Sequence, residues 1–197
     1  MLDISNLLKI VKYGKPFLLT DNYNRENECD IVCASQYITP ELINFMATHC
    51  RGLICLTINN EIYRRLNLTM QHKSNVSELS TNFTTSIDAS SGITTGISAY
   101  DRAHTIKVAI NPNAKPQDII TPGHIFPLVA HEQGLKIRHG HTEASVFIME
   151  LANLIPSAVI CEIMDIDGTM LRGEKMQDFS KKHNLPITAI DDLLKLT

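Results

Sequence analysis

Apolar runs of strand length, each closed by glycine, proline or a polar cluster, leave this chain few ways to fold. Pro16–Thr20, Asp30–Ala34, Gly52–Ile58, Phe83–Ile87, Ile125–Val129, Ala158–Met164 and Ile187–Ile190 all read as short strands. Helical patterns lie between them. Ile4, Leu7, Leu8 and Val11 share a face behind an Asp3 cap and stop at Gly14; Thr39-Pro40-Glu41 opens a helix that runs to about His49. Thr142–Leu154, capped by Thr142, and Glu174–His183 read as helices, and a final helical turn or two follows Ile190. Asp101–Ile110 fits either period and is taken as helix. Gln71–Thr81 is polar and serine-rich, a mobile loop by composition; Gly92–Gly96 and Asp167-Gly168 are turns, and Asn111–Gly123, with three prolines, is loop. The order lacks a βαβ rhythm and carries no glycine-rich dinucleotide fingerprint. The expected fold is α+β: a single three-layer domain over 1–197, with a mixed β-sheet and helices packed on both faces.

A chain of 197 residues fills one core and is short for two. Its formal charge of -3 gives no broad basic surface, which argues against nucleic acid as a partner and leaves room for a small anion at a local Arg/His cluster. No apolar run approaches the roughly twenty residues of a membrane span, and Met1–Gly14 is amphipathic rather than a basic segment before an apolar core. The expected compartment is cytoplasmic, with no membrane partner. Cys29, Cys33, Cys50, Cys55 and Cys161 contain no CxxC pair, so no structural zinc site is expected and most of these thiols read as buried and reduced.

Four segments carry chemistry. Arg25-Glu26-Asn27-Glu28-Cys29-Asp30 puts three carboxylates and an arginine between two apolar strands. Such a run serves as a solvated hairpin end in many proteins, but its oxygens suit Mg2+ or Mn2+ and its arginine suits phosphate. Arg138-His139-Gly140-His141-Thr142-Glu143 precedes a helix, whose first amides, with Arg138 and the Thr142 hydroxyl, form an anion site; either histidine could ligate a metal. His124 follows a Pro-Gly turn at a strand mouth, the place for a general acid or base. Glu162 stands inside the apolar run Ala158–Met164, where a carboxylate is costly unless paired or used.

Taken together and in order, these segments resemble the 3,4-dihydroxy-2-butanone 4-phosphate synthase family. The resemblance rests on Arg25–Asp30, Arg51–Cys55, Phe83–Ala89 (FTTSIDA), Gly92–Arg102 (GITTGISAYDR), Pro122–Leu128 (PGHIFPL), Gly140–Ala144, and Val159–Met164 leading into Asp167–Met170. It implies a homodimer with active sites at the subunit interface. It also implies a need for Mg2+ (or Mn2+), and conversion of D-ribulose 5-phosphate to 3,4-dihydroxy-2-butanone 4-phosphate and formate in riboflavin biosynthesis, through a metal-stabilised enediol. By the same resemblance Glu26 and His141 are the metal ligands. Arg25, Glu26, Asp30, Arg138, His139, Gly140, His141, Thr142 and Glu162 bind substrate, and His124 and Glu162 are the catalytic pair. Thr94 and Thr95 add phosphate or interface contacts.

Two positions depart from the family pattern. Cys29 stands where the family usually has glycine, which places a thiol beside the expected site and makes oxidation there a route to inactivation. Val129 stands where arginine is common. The family is often fused to a GTP cyclohydrolase II domain; with no second zinc cluster, this chain is expected to be monofunctional. The competing readings are a sugar-phosphate-binding protein of the same fold without turnover, a metal-dependent sugar-phosphate isomerase, and, more remotely, a nucleotide-binding RNA-modification protein.

Overall fold

The short apolar runs assemble into one seven-stranded mixed sheet in a computed structural model that describes residues 3–71 and 81–197. The strands are β1 (Phe17–Thr20), β2 (Cys29–Ala34), β3 (Cys55–Ile58), β4 (Ile87–Ala89), β5 (Ile119–Val129), β6 (Ser157–Glu162) and β7 (Ile187–Ala189), in the spatial order β4-β5-β3-β6-β2-β1-β7. Parallel pairing occurs at β3/β5 and β1/β7, and the other neighbours are antiparallel. The helices are α1 (Ile4–Lys12), α2 (Pro40–Phe45), α3 (Asn60–Arg65), α4 (Ala99–Ile110), α5 (His141–Leu151), α6 (Gly173–His183) and α7 (Ile190–Leu194).

Strand alternation divides the core into two layers. Leu18, Ile31, Cys33, Leu56, Val159 and Cys161 face one side, where α2, α3, α4 and α6 cover them; Phe17, Leu19, Val32, Cys55, Ala158 and Ile160 face the other, under α1, α5 and α7. This is the three-layer α+β arrangement. Within the second layer a buried polar latch ties α5 to the sheet. The Thr57 hydroxyl lies 2.9 Å from that of Ser145 and 3.2 Å from both the amide and the carbonyl of Ala158.

Several boundaries differ from the sequence reading. The Asn111–Gly123 segment is loop only in its first part, because β5 begins at Ile119. The β4/β5 register shifts between Ile87 and Asp88, so Pro122 and Gly123 sit in an irregular stretch of ladder that tolerates them. The strand expected at Phe83–Ile87 lies at Ile87–Ala89, with Phe83 and Thr84 forming only isolated bridges. The helix from Pro40 ends in a π-helical turn at Met46–Cys50, closed by Arg51 in the left-handed region (φ 67°), so β3 starts only at Cys55. Helix α3, capped by the Asn59 side chain, is an addition to the expected elements. Of the loop expected at Gln71–Thr81, all but its two end residues lie outside the described residues. No helix among the described residues is long and apolar enough to cross a membrane.

Candidate active site

The β1–β2 hairpin turns through the acidic run, and one buried aspartate shapes it. The Asp21 carboxylate accepts the Glu26 amide at 3.1 Å and the Glu28 amide at 2.8 Å, and it pairs with the Arg25 guanidinium at 2.9 Å. Arg25 also pairs with Glu26. Asn27 adopts φ 53°, and the tightest part of the turn falls there. Cys29 already lies in extended β2, so its position demands no glycine conformation. Its thiol is 1% exposed, and burial pushes it far above the ordinary thiol range. The Cys29 side chain packs in the α2/α4/α6 layer, on the face of the sheet opposite to Asp30. The expected redox-sensitive thiol beside the site is therefore corrected: Cys29 is a core residue. Val129, likewise, is 1% exposed in β5.

Sheet parity aims the acids. Asp30 pairs with Glu162 across β2 and β6, and both stand on the α5 face. Glu162 is the last residue of β6 and half-buried, rather than buried in mid-strand; its carboxylate accepts the Leu53 amide at 2.8 Å. That corrects its expected place in mid-strand and supplies the partner that such a carboxylate needs. Gly52 makes the approach possible, since a Cβ there would meet the Glu162 carbonyl at 2.3 Å and its carboxylate at 2.7 Å.

Over that same face α5 brings His141. The helix starts one residue earlier than expected, with Gly140 as its cap, so Thr142 is a buried residue of the first turn and not the cap. The first internal bond runs from the Ala144 amide to the Gly140 carbonyl at 3.0 Å, leaving the amides of residues 141–143 outside the helix's own ladder. The His141 Nε2–H donates to the Leu19 carbonyl at 3.1 Å, which leaves Nδ1 of the neutral ring unprotonated. Burial pushes the ring's pKa down to about 4, favouring the neutral form that a metal ligand needs. Asp30 is 3.8 Å from the imidazole.

Ligand-capable atoms of Asp21, Glu26 and His141 all lie within 4.8 Å of one another. The Asp30 carboxyl is raised well above its ordinary value, first by burial and then by Glu162, Glu28, Glu26 and Asp21. Glu28 is raised by burial and by Glu26, Glu162 and Asp21. Five carboxylates thus act on one another around Asp30, three of them close to the imidazole, and the buried Asp30 Oδ1 has no hydrogen-bond partner among the described residues. A hard divalent cation fits this donor set: oxygen-rich, with one neutral imidazole and excess negative charge.

Around this centre, Arg138 pairs with Glu143 and donates to the Thr81 hydroxyl at 2.7 Å, and Gly140 leaves room for its guanidinium. His139 is exposed and lines a cavity of about 290 Å³ with Asn22, Asn24 and Arg25. His124 is the outlier. Cys55 pairs with both Phe126 and Ile160, so His124, two residues before Phe126, and Glu162, two after Ile160, reach the same end of the sheet on either side of β3. Two strand spacings separate them, roughly 10 Å. The His124 Nδ1 lies 2.8 Å from the Asp88 carboxylate, which also accepts the His124 amide at 3.0 Å, and the side chain is 40% exposed. Thr94 is held by Asp101 through its amide and its hydroxyl (3.1 and 2.7 Å), and Thr95 is exposed.

Sequence reasoning missed Asp21 and Asp88. Asp21 lies outside the six-residue acidic motif; its signal was the four-residue spacing to Arg25. Asp88 is an acid inside an apolar strand, the same signal that singled out Glu162.

The profile of the family described as 3,4-dihydroxy-2-butanone 4-phosphate synthase matches residues 5–196. The chain belongs to the 3,4-dihydroxy-2-butanone 4-phosphate synthase family. A synthase of that name from Neisseria meningitidis is 50% identical over 192 residues, covering 98% of this chain and 53% of the relative. One from Wigglesworthia glossinidia brevipalpis is 46% identical and covers 98% and 90%. The chain spans about half the length of the first curated synthases it matches. A crystal structure of a 3,4-dihydroxy-2-butanone 4-phosphate synthase in complex with two magnesium ions superposes with a TM-score of 0.92 at 35% identity, covering 98% of this chain and 95% of that one.

Proposed function

We propose that this chain is a lyase converting D-ribulose 5-phosphate to 3,4-dihydroxy-2-butanone 4-phosphate and formate in riboflavin biosynthesis, using Mg2+ or Mn2+. The reading is carried by the convergence of Asp21, Glu26 and His141 on one point beside Asp30 and Glu162, in a chain of this family. Glu26 and His141 are the proposed ligands, with Asp21 added from its position. When bound, the cation supplies Lewis-acid polarisation of the substrate's oxygens and offsets the crowded carboxylates.

The protein's own groups divide the remaining work. Arg138 and the free amides at the start of α5 anchor the phosphate, with His139, Gly140 and Thr142 shaping that end of the site. Arg25 lies between Asp21 and Glu26 and would be free to bind substrate where those carboxylates held a cation. Glu162, oriented by the Leu53 amide, and Asp30 are placed to take and return carbon-bound protons. Asp88 holds His124 with Nε2 outward, as an acid–base group needs.

Because His124 and the Glu26–His141 cluster stand apart within one chain, the proposed enzyme is a homodimer that closes its sites across the interface. The exposed Leu53, Ile97, Tyr100 and Ile120, near β3, α4 and β5, support that contact. The proposed location is cytoplasmic.

The deciding measurement is formate release from D-ribulose 5-phosphate plus Mg2+, with product mass. A four-carbon phosphate with one formate per turnover is expected. A five-carbon product would mean an isomerase, and tight binding without turnover a sugar-phosphate-binding protein. Glu162→Gln and His124→Ala are each expected to lower turnover by at least ~10²-fold while far-UV circular dichroism stays unchanged.

A further inference from the structure

A cation at the rim of the acidic hairpin pairs with none of its acids. Among the described residues Arg172 forms no ion pair with a carboxylate. Its Nε–H instead donates to the Asn27 carbonyl at 2.7 Å, and its Nη2 group donates to the Glu26 carbonyl at 3.0 Å. A guanidinium bonded to two successive carbonyls fixes both the position and the tilt of the turn, which a single ammonium cannot do.

The turn needs such a tether. Asn22 ties the first arm of the turn, accepting the Asn24 amide and donating to Asp191, whereas the ties at Glu26 and Glu28 themselves run to Asp21, which accepts both amides and pairs with Arg25. Asp21 is itself one of the three groups converging on the candidate cation position, so any oxygen it turns toward a cation is drawn away from those amides. Arg172 takes up no carboxylate oxygen, although its charge acts on Glu28 at longer range, and its two carbonyl bonds do not compete with that exchange. Its own backbone is anchored on the other side of the site. Leu171 donates to the Ile163 carbonyl at 2.9 Å, directly after Glu162, and α6 begins at Gly173. Arg172 therefore joins the hairpin that carries Glu26 to the strand that carries Glu162.

We infer that Arg172 is a positioning residue: it clamps the Glu26–Asn27 carbonyls so that the Glu26 carboxylate is presented to the cation at a fixed distance from His141. The inference rests on the reading of Glu26 as a metal ligand. Outer residues that orient ligands characteristically cost about 10–100-fold in metal affinity when removed.

The test uses Arg172→Met, which keeps the side-chain bulk, and Arg172→Lys, which can restore one of the two bonds. Hydrogen exchange of the metal-free protein is expected to speed up about tenfold or more at the amides of residues 21–28 in Arg172→Met, while residues 30–34 of β2 exchange as in the parent. Mn2+ affinity, read from free Mn2+ by electron paramagnetic resonance without substrate, is expected to fall by about 10–100-fold in Arg172→Met and to recover partly in Arg172→Lys. Parent-like exchange in the hairpin, or parent-like Mn2+ affinity in Arg172→Met, overturns the inference; so does an affinity loss matched by faster exchange throughout β2, which marks a general loss of structure. Both readouts omit substrate, so a parent protein that released no formate would refute the lyase reading alone.

Discussion

Asp30 combines near-complete burial with four neighbouring acids, and its carboxyl is raised well above the ordinary 3.8. A carboxyl raised in the folded state favours folding when protonated, so its cost is absent in acid and grows as pH climbs above about 4. Asp30→Asn is therefore expected to stabilise the protein in EDTA at pH 8 by at least ~1 kcal/mol and to gain nothing near pH 4, while losing turnover. Urea melts at the two pH values check this, and an equal gain at both would contradict it. His141 runs the other way. With its pKa pushed from 6.5 down to about 4, it weakens the fold as pH falls through that window. Asp88 acts through His124: Asp88→Asn is expected to lower kcat by about 10²-fold or more with KM little changed, because an amide can turn its NH2 to Nδ1 and leave the proton on Nε2. An unaltered kcat would remove Asp88 from the reaction.

At the scale of elements, the junction of β3 and β6 is the tightest fit near the site. Gly52→Ala would drive a Cβ into the Glu162 backbone, and a loss of about 2 kcal/mol or more, together with turnover, is expected. Thr39→Ala, which removes the side-chain cap of α2 far from the acids, is expected to cost about 1 kcal/mol with turnover unchanged. Urea melts paired with formate assays separate the two. The strands and most helices were legible because their apolar period survives in the sequence, as in Ile4–Val11 and Ala158–Cys161. Boundaries set by tertiary pairing were not. Proline and glycine at 122–123 hid the start of β5, since nothing local reveals an irregular ladder. The buried placement of Thr142 moved the cap of α5 to Gly140. The acidic run and His141 could be picked out by residue type, whereas their common face follows from the register of β2 with β6, which no local pattern states.

The whole molecule places His124 on one side of β3 and the Glu26–His141 cluster on the other, and the proposed dimer makes a quantitative demand. Inactive His124→Ala and Glu162→Gln proteins, unfolded together and refolded at equal concentration, should regain about a quarter of parental turnover. Half the dimers are then mixed, and each mixed dimer holds one intact site of two. No recovery would place His124 and Glu162 in a site built by one chain. The fold also limits how α5 can move. Sliding or rolling that helix against the strands would break the contact between the Thr57 and Ser145 hydroxyls in a dry interior, a cost of about 1 kcal/mol, since Thr57 keeps the Ala158 carbonyl and Ser145 the Thr142 carbonyl. The imidazole at its tip therefore inherits its aim from the sheet, and the hairpin clamped opposite has a steady ring to meet.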